Sequence, residues 1–191
     1  MTRSERRISK IRRVLANRQL DLTVVMENVH DPHNVSAVLR TCDAVGVLRV
    51  ELVYTTEKFP RIGRKASSSA AKWVERRKHQ SISDCYRTLK SEGSRLYAAV
   101  LDESAPSLYD LDCAGRIAFV FGNEHRGASG EAVAEADGTF KIPMMGMIES
   151  LNISVACAVT LYEALRQRLQ RPGEKIPEGE LEEVIKQWAR K

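Results

Sequence analysis

Three segments of this 191-residue chain carry side chains whose types and spacing could do chemistry. In ENVHDPHNVSAVLRTCDAVG (27–46), Val35, Val38, Leu39, Cys42 and Val45 form the buried stripe of a helix pattern, and Asn34 is expected to cap that helix. At about 100° per residue, Arg40 points nearly opposite to the stripe. It is either an exposed charge on a polar face or a guanidinium aimed at phosphate. His30 and His33 flank Asp31 and invite a metal reading, but no third ligand cluster is evident elsewhere, and polar loop contacts are the expectation. In IAFVFGNEHRGAS (117–129), an apolar run enters Gly122, and Gly127 follows five residues later. This falls short of a phosphate-binding loop, because Ala128 stands where the lysine should be. What remains is two glycines framing Glu124: an ordinary turn, or a close backbone approach to a ligand with Glu124 as a fixed acceptor. In IPMMGMIESLNISVACA (142–158), an apolar loop with three methionines ends in Glu149, Ser150 and Asn152 at the entrance of a helix. Methionine fills irregular gaps in a core. Equally, an apolar wall beside free helix N–H donors suits a small ligand with an apolar body and a few anchored polar atoms.

The elements that must position these residues follow from periodicity. Strands are expected at Leu22–Met26, Leu48–Val53, Arg95–Leu101, Arg116–Phe121 and Thr139–Ile142. Helices are expected at 5–19, 34–45, 67–76, 81–92, 129–136, 151–170 and 178–190. Strands alternating with helices imply an α/β fold with a mainly parallel sheet covered on both faces. Ligands of such sheets sit beyond the carboxyl ends of the strands. Here those ends are Glu27–Asn34, the segment around Ala99–Asp102, Gly122–Gly127 and Pro143–Asn152. Arg171-Pro172-Gly173 ends the long helix, and the last helix carries an apolar stripe of Leu181, Val184, Ile185 and Trp188 that needs a partner surface. The expected organisation is a basic helical extension (1–20), a central domain (21–170) and a C-terminal helical extension (171–191).

Bulk properties narrow the class. With 43% hydrophobic residues the chain can build a real core, and its net charge of +5 makes an acidic partner plausible. The excess is uneven: the first twenty residues carry seven Arg or Lys and one Glu. A second cluster comprises Lys58, Arg61, Arg64, Lys65, Lys72, Arg76, Arg77 and Lys78. Each alone reads equally as a solvated face, but two clusters without a long amphipathic aromatic face favour nucleic acid over membrane. Cys42, Cys85, Cys113 and Cys157 are widely spaced with no CxxC pair, so neither a zinc knuckle nor a disulfide framework is indicated. No signal peptide or membrane-length apolar run is apparent, and the expected location is cytoplasmic.

Taken jointly and in order, Asn34 with Arg40, GNEHRG, and IPMMGMIESLNIS resemble the SPOUT superfamily of S-adenosylmethionine-dependent RNA methyltransferases, and within it the tRNA guanosine 2′-O-methyltransferases of the TrmH family. The resemblance implies a parallel sheet whose C-terminal part is threaded as a deep trefoil knot, a homodimer, S-adenosylmethionine as cofactor, and no metal. It implies that Gly122, Ile142 and Leu151 line the cofactor pocket; Ala99, small and at the ligand edge, is our addition to them. It implies that Arg40 is the catalytic arginine and that Asn34, Glu124, Ser150 and Asn152 shape the site. Arginine as a base is chemically awkward at a pKa of about 12.5–13.8, so phosphate anchoring and stabilisation of a developing alkoxide are the preferred role, with the proton acceptor open. Arg6, Arg7, Lys10, Arg12 and Arg13 are expected to contact RNA phosphates. The expected substrate is tRNA at the D-loop guanosine, position 18. The alternatives are another tRNA position or ribosomal RNA, and a catalytically silent RNA-binding protein on the same fold. One departure stands out: Glu149 occupies a position where close relatives often have Gln.

Overall fold

The apolar runs assemble into one six-stranded, wholly parallel sheet in the computed structural model, which describes residues 3–60 and 70–190. The strands are β1 (Leu22–Glu27), β2 (Arg49–Val53), β3 (Glu75–His79), β4 (Arg95–Ala99), β5 (Ile117–Phe121) and β6 (Gly138–Phe140), ordered β3-β2-β1-β5-β4-β6. The helices are α1 (Arg3–Ala16), α2 (Pro32–Val45), α3 (Ala70–Trp73), α4 (Ile82–Ser91), α5 (Gly130–Glu135), α6 (Ile153–Gln170) and α7 (Glu178–Ala189). Side chains alternate between the two faces of a strand, so Val24 and Met26 of β1 join a core with α2 and α6, while Val25 joins one with α4 and α5. A strand packed on both faces must be apolar almost throughout, as IAFVF of β5 is, fully buried between β1 and β4. Strand order reverses between β1 and β5, and a crevice at such a switch point is where ligands settle.

The termini form a third, smaller core. Ile11 and Leu15 of α1 meet Ile185 and Trp188 of α7, with Trp73 stacked 4.9 Å from Trp188. The apolar stripe of the last helix thus finds its partner in the first. Among the described residues, no helix is long and apolar enough to cross a membrane.

Two sequence expectations need correction. The helix expected over 67–76 is only Ala70–Trp73 in its described part, and Glu75–His79 is a sixth strand; residues 67–69 lie outside the described residues. ERRKH has no apolar alternation because it is an edge strand, where charge discourages pairing with another chain. Its inward side chains answer a different need. Glu51 of β2 is wholly buried, and Arg49, Arg77 and His79 surround its carboxylate at 3.2, 2.8 and 2.7 Å. Arg77 also pairs with Glu92, which with Glu51 holds the guanidinium protonated above its ordinary pKa against the opposing effect of burial. Part of the second basic cluster is therefore internal counter-charge; Arg61, Arg64 and Lys65 fall outside the described residues. The second correction concerns the cap of α2. Asp31 accepts a hydrogen bond from His33 N–H, and Pro32 opens the helix, so Asn34 lies inside its first turn.

Candidate active site

Gly122 follows β5 directly and starts a turn that closes on itself. Asn123 N–H donates to Gly127 O at 3.0 Å, and Gly127 N–H donates back to Asn123 O at 2.8 Å. A Cβ on Gly122 would collide with the backbone of Gly127, itself in the left-handed region at φ 69°, so both positions require glycine. The turn projects Glu124 towards the loop after β1. There its Oε2 accepts from His30 N–H at 2.9 Å, and its Oε1 accepts from Asp31 N–H and Asn34 Nδ2 at 3.0 Å each. Burial acts to raise this carboxyl's pKa, but the donors from Asn34, His30 and Asp31 prevail and hold it below the ordinary value. Glu124 is thus a fixed acceptor, as a glycine-framed acid allows, but its donors belong to the protein.

The same relay reaches the third segment. Asn152 Nδ2 donates to Asn34 Oδ1 at 3.0 Å. Asn152 Oδ1 in turn caps α6, accepting from Ser154 N–H at 2.9 Å. Residues 34, 124 and 152, far apart in sequence, are therefore one hydrogen-bonded unit spanning the switch point.

Beside this unit, beyond the carboxyl ends of β4, β5 and β6, lies a cavity of about 560 Å³. Ala99, Gly122, Ile142 and Leu151 all line it, together with Leu101, Met144, Glu149, Ser150 and the relay residues Glu124 and Asn152. The Met-rich loop divides its labour: Met144 faces the cavity, whereas Met145 and Met147 are 94% and 100% exposed. An apolar container with a few polar groups at one end, of this size, is the form of a small-molecule site. The cysteines offer no nucleophile here. All four thiols are buried, and Cys157 is pushed above its ordinary pKa by its contact with Cys42 and by burial.

Arg40 is not part of this cavity. It sits exposed on α2, makes no hydrogen bond or ion pair among the described residues, and lies two-thirds of a turn around the helix and about 9 Å along it from Asn34. The basic residues of α1 are also solvent-facing: Arg6, Arg7, Lys10 and Arg13 are exposed, and Arg12 pairs with Glu182 of α7 at 2.6 Å. His30 lies 3.5 Å from Glu57, and Asp31 is spent as a cap, so this loop's polar groups serve loop contacts. Among the described residues no group of three or more His, Cys, Asp or Glu is placed to hold a metal.

The model of the SpoU rRNA methylase family matches residues 21–162. The chain belongs to that family. It is 46% identical over 194 residues to a Thermus thermophilus protein named tRNA (guanosine(18)-2′-O)-methyltransferase, covering 99% of this chain and 98% of the relative. It is 40% identical over 151 residues to a Xanthomonas axonopodis protein named 23S rRNA (guanosine-2′-O-)-methyltransferase, covering 78% of this chain but 59% of that one. A solved structure of the A. aeolicus TrmH/SpoU tRNA modifying enzyme superposes with a TM-score of 0.90 at 36% identity, covering 98% of this chain and 96% of that one.

Two asparagines that the sequence patterns do not single out also hold the site's loops. Asn123 Nδ2 donates to Asn28 O at 2.8 Å, and its Oδ1 accepts from His125 N–H at 3.0 Å. Asn28, at φ 51°, accepts the N–H groups of Thr55, Thr56 and Glu57 on one carboxamide oxygen. Both stand where a strand ends, and asparagine tolerates left-handed backbone while bonding nearby main chain; that was the available signal.

Proposed function

We propose that this protein is an S-adenosylmethionine-dependent tRNA 2′-O-methyltransferase that modifies the D-loop guanosine at position 18, working in the cytoplasm as a homodimer on a trefoil-knotted sheet. The observation that carries the reading is the convergence of Asn34, Glu124 and Asn152 on one rim of a cavity lined by Ala99, Gly122, Ile142 and Leu151. Near end-to-end similarity to a relative named for guanosine 18 of tRNA supports tRNA over ribosomal RNA, since the rRNA-named relative is much longer than its matching part.

The cavity fits the cofactor in chemistry as well as volume. Leu101, Ile142, Leu151 and Ala156 offer apolar surface to its carbon framework, and Glu149 and Ser150 offer polar atoms at one end. S-Adenosylmethionine, when bound, supplies a methyl group already activated on a sulfonium, so alignment provides much of the rate. Ile142 and Leu151, both on the cavity lining, would shield the bound cofactor from water. Glu124 fixes the loop before α2 and, through Asn34, the N-terminus of α6. The positive end of the α6 dipole and Ser150, both at the cavity lining, would favour negative charge gathering on a ribose oxygen there. Arg40 anchors a tRNA phosphate and stabilises that charge.

Arg40 cannot do so in its own cavity, so the proposal requires a second copy to complete the site. Val155, Tyr162 and Leu169, at seven-residue intervals on α6, are exposed, as are Met145, Met147 and Ile148 of the preceding loop. Exposed large apolar side chains in such number suit a surface that a second copy covers. Helix α1, held against α7 by a shared core, presents Arg6, Arg7, Lys10, Arg12 and Arg13 for salt-dependent phosphate contact.

The test of substrate is methyl transfer to tRNA transcripts that differ only at the D-loop guanosine; equal transfer to both overturns the assignment. Arg40→Ala is expected to abolish transfer while leaving cofactor binding nearly intact. Mixing Arg40→Ala with a cavity-blocked Leu151→Arg variant tests completion by a second copy. Heterodimers should regain activity that neither parent has, and an inactive mixture of proven heterodimers rejects the shared site.

A further inference from the structure

Two carboxylates line the cavity, and they are differently placed to act on a ligand. Glu124 is satisfied by three N–H donors of the protein. Glu149 is exposed, one residue before Ser150, and makes no hydrogen bond or ion pair among the described residues. Arg126, which also lines the cavity, is engaged at 3.2 Å by Glu57, a residue outside the lining. Glu149 therefore contributes to the cavity lining a negative charge that no ion pair among the described residues compensates.

Resting on the function proposed above, we infer that Glu149 is a specificity-determining residue that favours the cationic cofactor over its neutral product. Methyl transfer would form a bond from the ribose 2′-oxygen to the methyl carbon, break the bond from sulfur to that carbon with its electron pair left on sulfur, and release the hydroxyl proton to solvent, so that the sulfonium would become a neutral thioether. Everything else about the two molecules is shared, including the adenosine and the amino acid head. Apolar walls and backbone groups thus bind both nearly alike. A free carboxylate distinguishes them, because only one carries charge at sulfur. At the separations available across such a cavity, and with solvent access, a unit charge pair is worth about a three- to tenfold change in affinity. This device strengthens capture of the donor without strengthening retention of the product.

The test is calorimetric binding of S-adenosylmethionine and S-adenosylhomocysteine to the full-length protein and to Glu149→Gln and Glu149→Lys. Glu149→Gln preserves shape, and an unchanged melting temperature verifies the fold. The wild-type protein should prefer the sulfonium. Glu149→Gln should lower affinity for it about three- to tenfold while leaving the thioether within twofold, and Glu149→Lys should move the ratio further. Sinefungin, which carries an ammonium near the methyl position, should follow the sulfonium. Raising salt should shrink the wild-type preference, since an accessible charge is screened. An unaltered ratio in both variants, or equal loss of both ligands, overturns this inference and leaves the proposed function standing. Failure of the wild-type protein to bind either ligand overturns the proposed function itself.

Discussion

Glu51 and Glu124 are two carboxylates set in or just after strands of the same sheet, and the protein satisfies them by opposite means. Glu51, wholly buried, is surrounded by Arg49, Arg77 and His79. Glu124, half-buried, is held by two backbone N–H groups and an asparagine amide. Counter-charge locks the sheet edge but fills the space around the acid with long side chains. Neutral donors fix the acid in place and add no cation beside the cavity, which a cationic ligand would have to oppose. The difference separates a carboxylate that holds an element from one that holds a geometry, and it can be broken at either end.

The largest effect is expected at the sheet edge. Removing the central partner of a buried ion cluster leaves the others short of counter-charge, here with Glu92 alone against Arg49 and Arg77. Glu51→Ala should lower stability by about 2–4 kcal/mol in urea denaturation, below the full cost of a deeply buried pair because Arg49 and Arg77 are partly exposed. Methyl transfer per folded molecule should change little. A loss under about 1 kcal/mol would mean that water replaces the carboxylate and that the cluster is not a lock.

Glu124→Gln reverses the ratio of the two effects. An amide keeps the shape but turns an NH2 group towards donors, so about 1–2 kcal/mol of stability should be lost. Methyl transfer should fall roughly ten- to hundredfold through displacement of Asn34 and Asn152, with cofactor affinity largely kept. The pH dependence carries a sign. The folded carboxyl lies below its ordinary value of 4.5, so its stabilisation is complete above that value and is lost as pH falls through the lower, folded one. The wild-type protein should therefore lose stability more steeply than Glu124→Gln below about pH 4.5. Parallel acid profiles would show that the donors do not prefer the ionised form.

The contrast also accounts for what the sequence reveals and what it conceals. The sheet, the two helical layers and the ligand edge are legible because they follow apolar periodicity, which is local. Ala99, Gly122, Ile142 and Leu151 fall along one cavity because every parallel strand delivers its loop to the same edge. Strand β3 was concealed because its role is electrostatic. Its inward residues are Arg77 and His79, and the clue lay 24 residues earlier, in a glutamate at the centre of the apolar strand RVELV. A buried acid demands cationic or N–H partners, and the basic ERRKH at alternating positions supplies them. The separation of Arg40 from Asn34 was likewise hidden, although both share a helix: facing opposite to the apolar stripe does not say which cavity a side chain serves.

A third carboxylate completes the series at its weak end. Glu182 of α7 meets Arg12 of α1 at 2.6 Å with both side chains about half exposed or more. Such pairs contribute about 0–1 kcal/mol, because solvent screens the charges and two long side chains lose freedom. Glu182→Gln should therefore leave the melting curve almost unmoved, since α1 and α7 are joined by Ile11, Leu15, Ile185 and Trp188. Its effect should appear instead in tRNA binding. Arg12 released from its partner becomes a fuller phosphate ligand, so affinity should rise roughly twofold at low salt and the dependence on salt should steepen. A fall in stability with unchanged tRNA affinity would reassign Arg12 from the RNA surface to the joint between the terminal helices, making it a small exposed counterpart of the lock around Glu51.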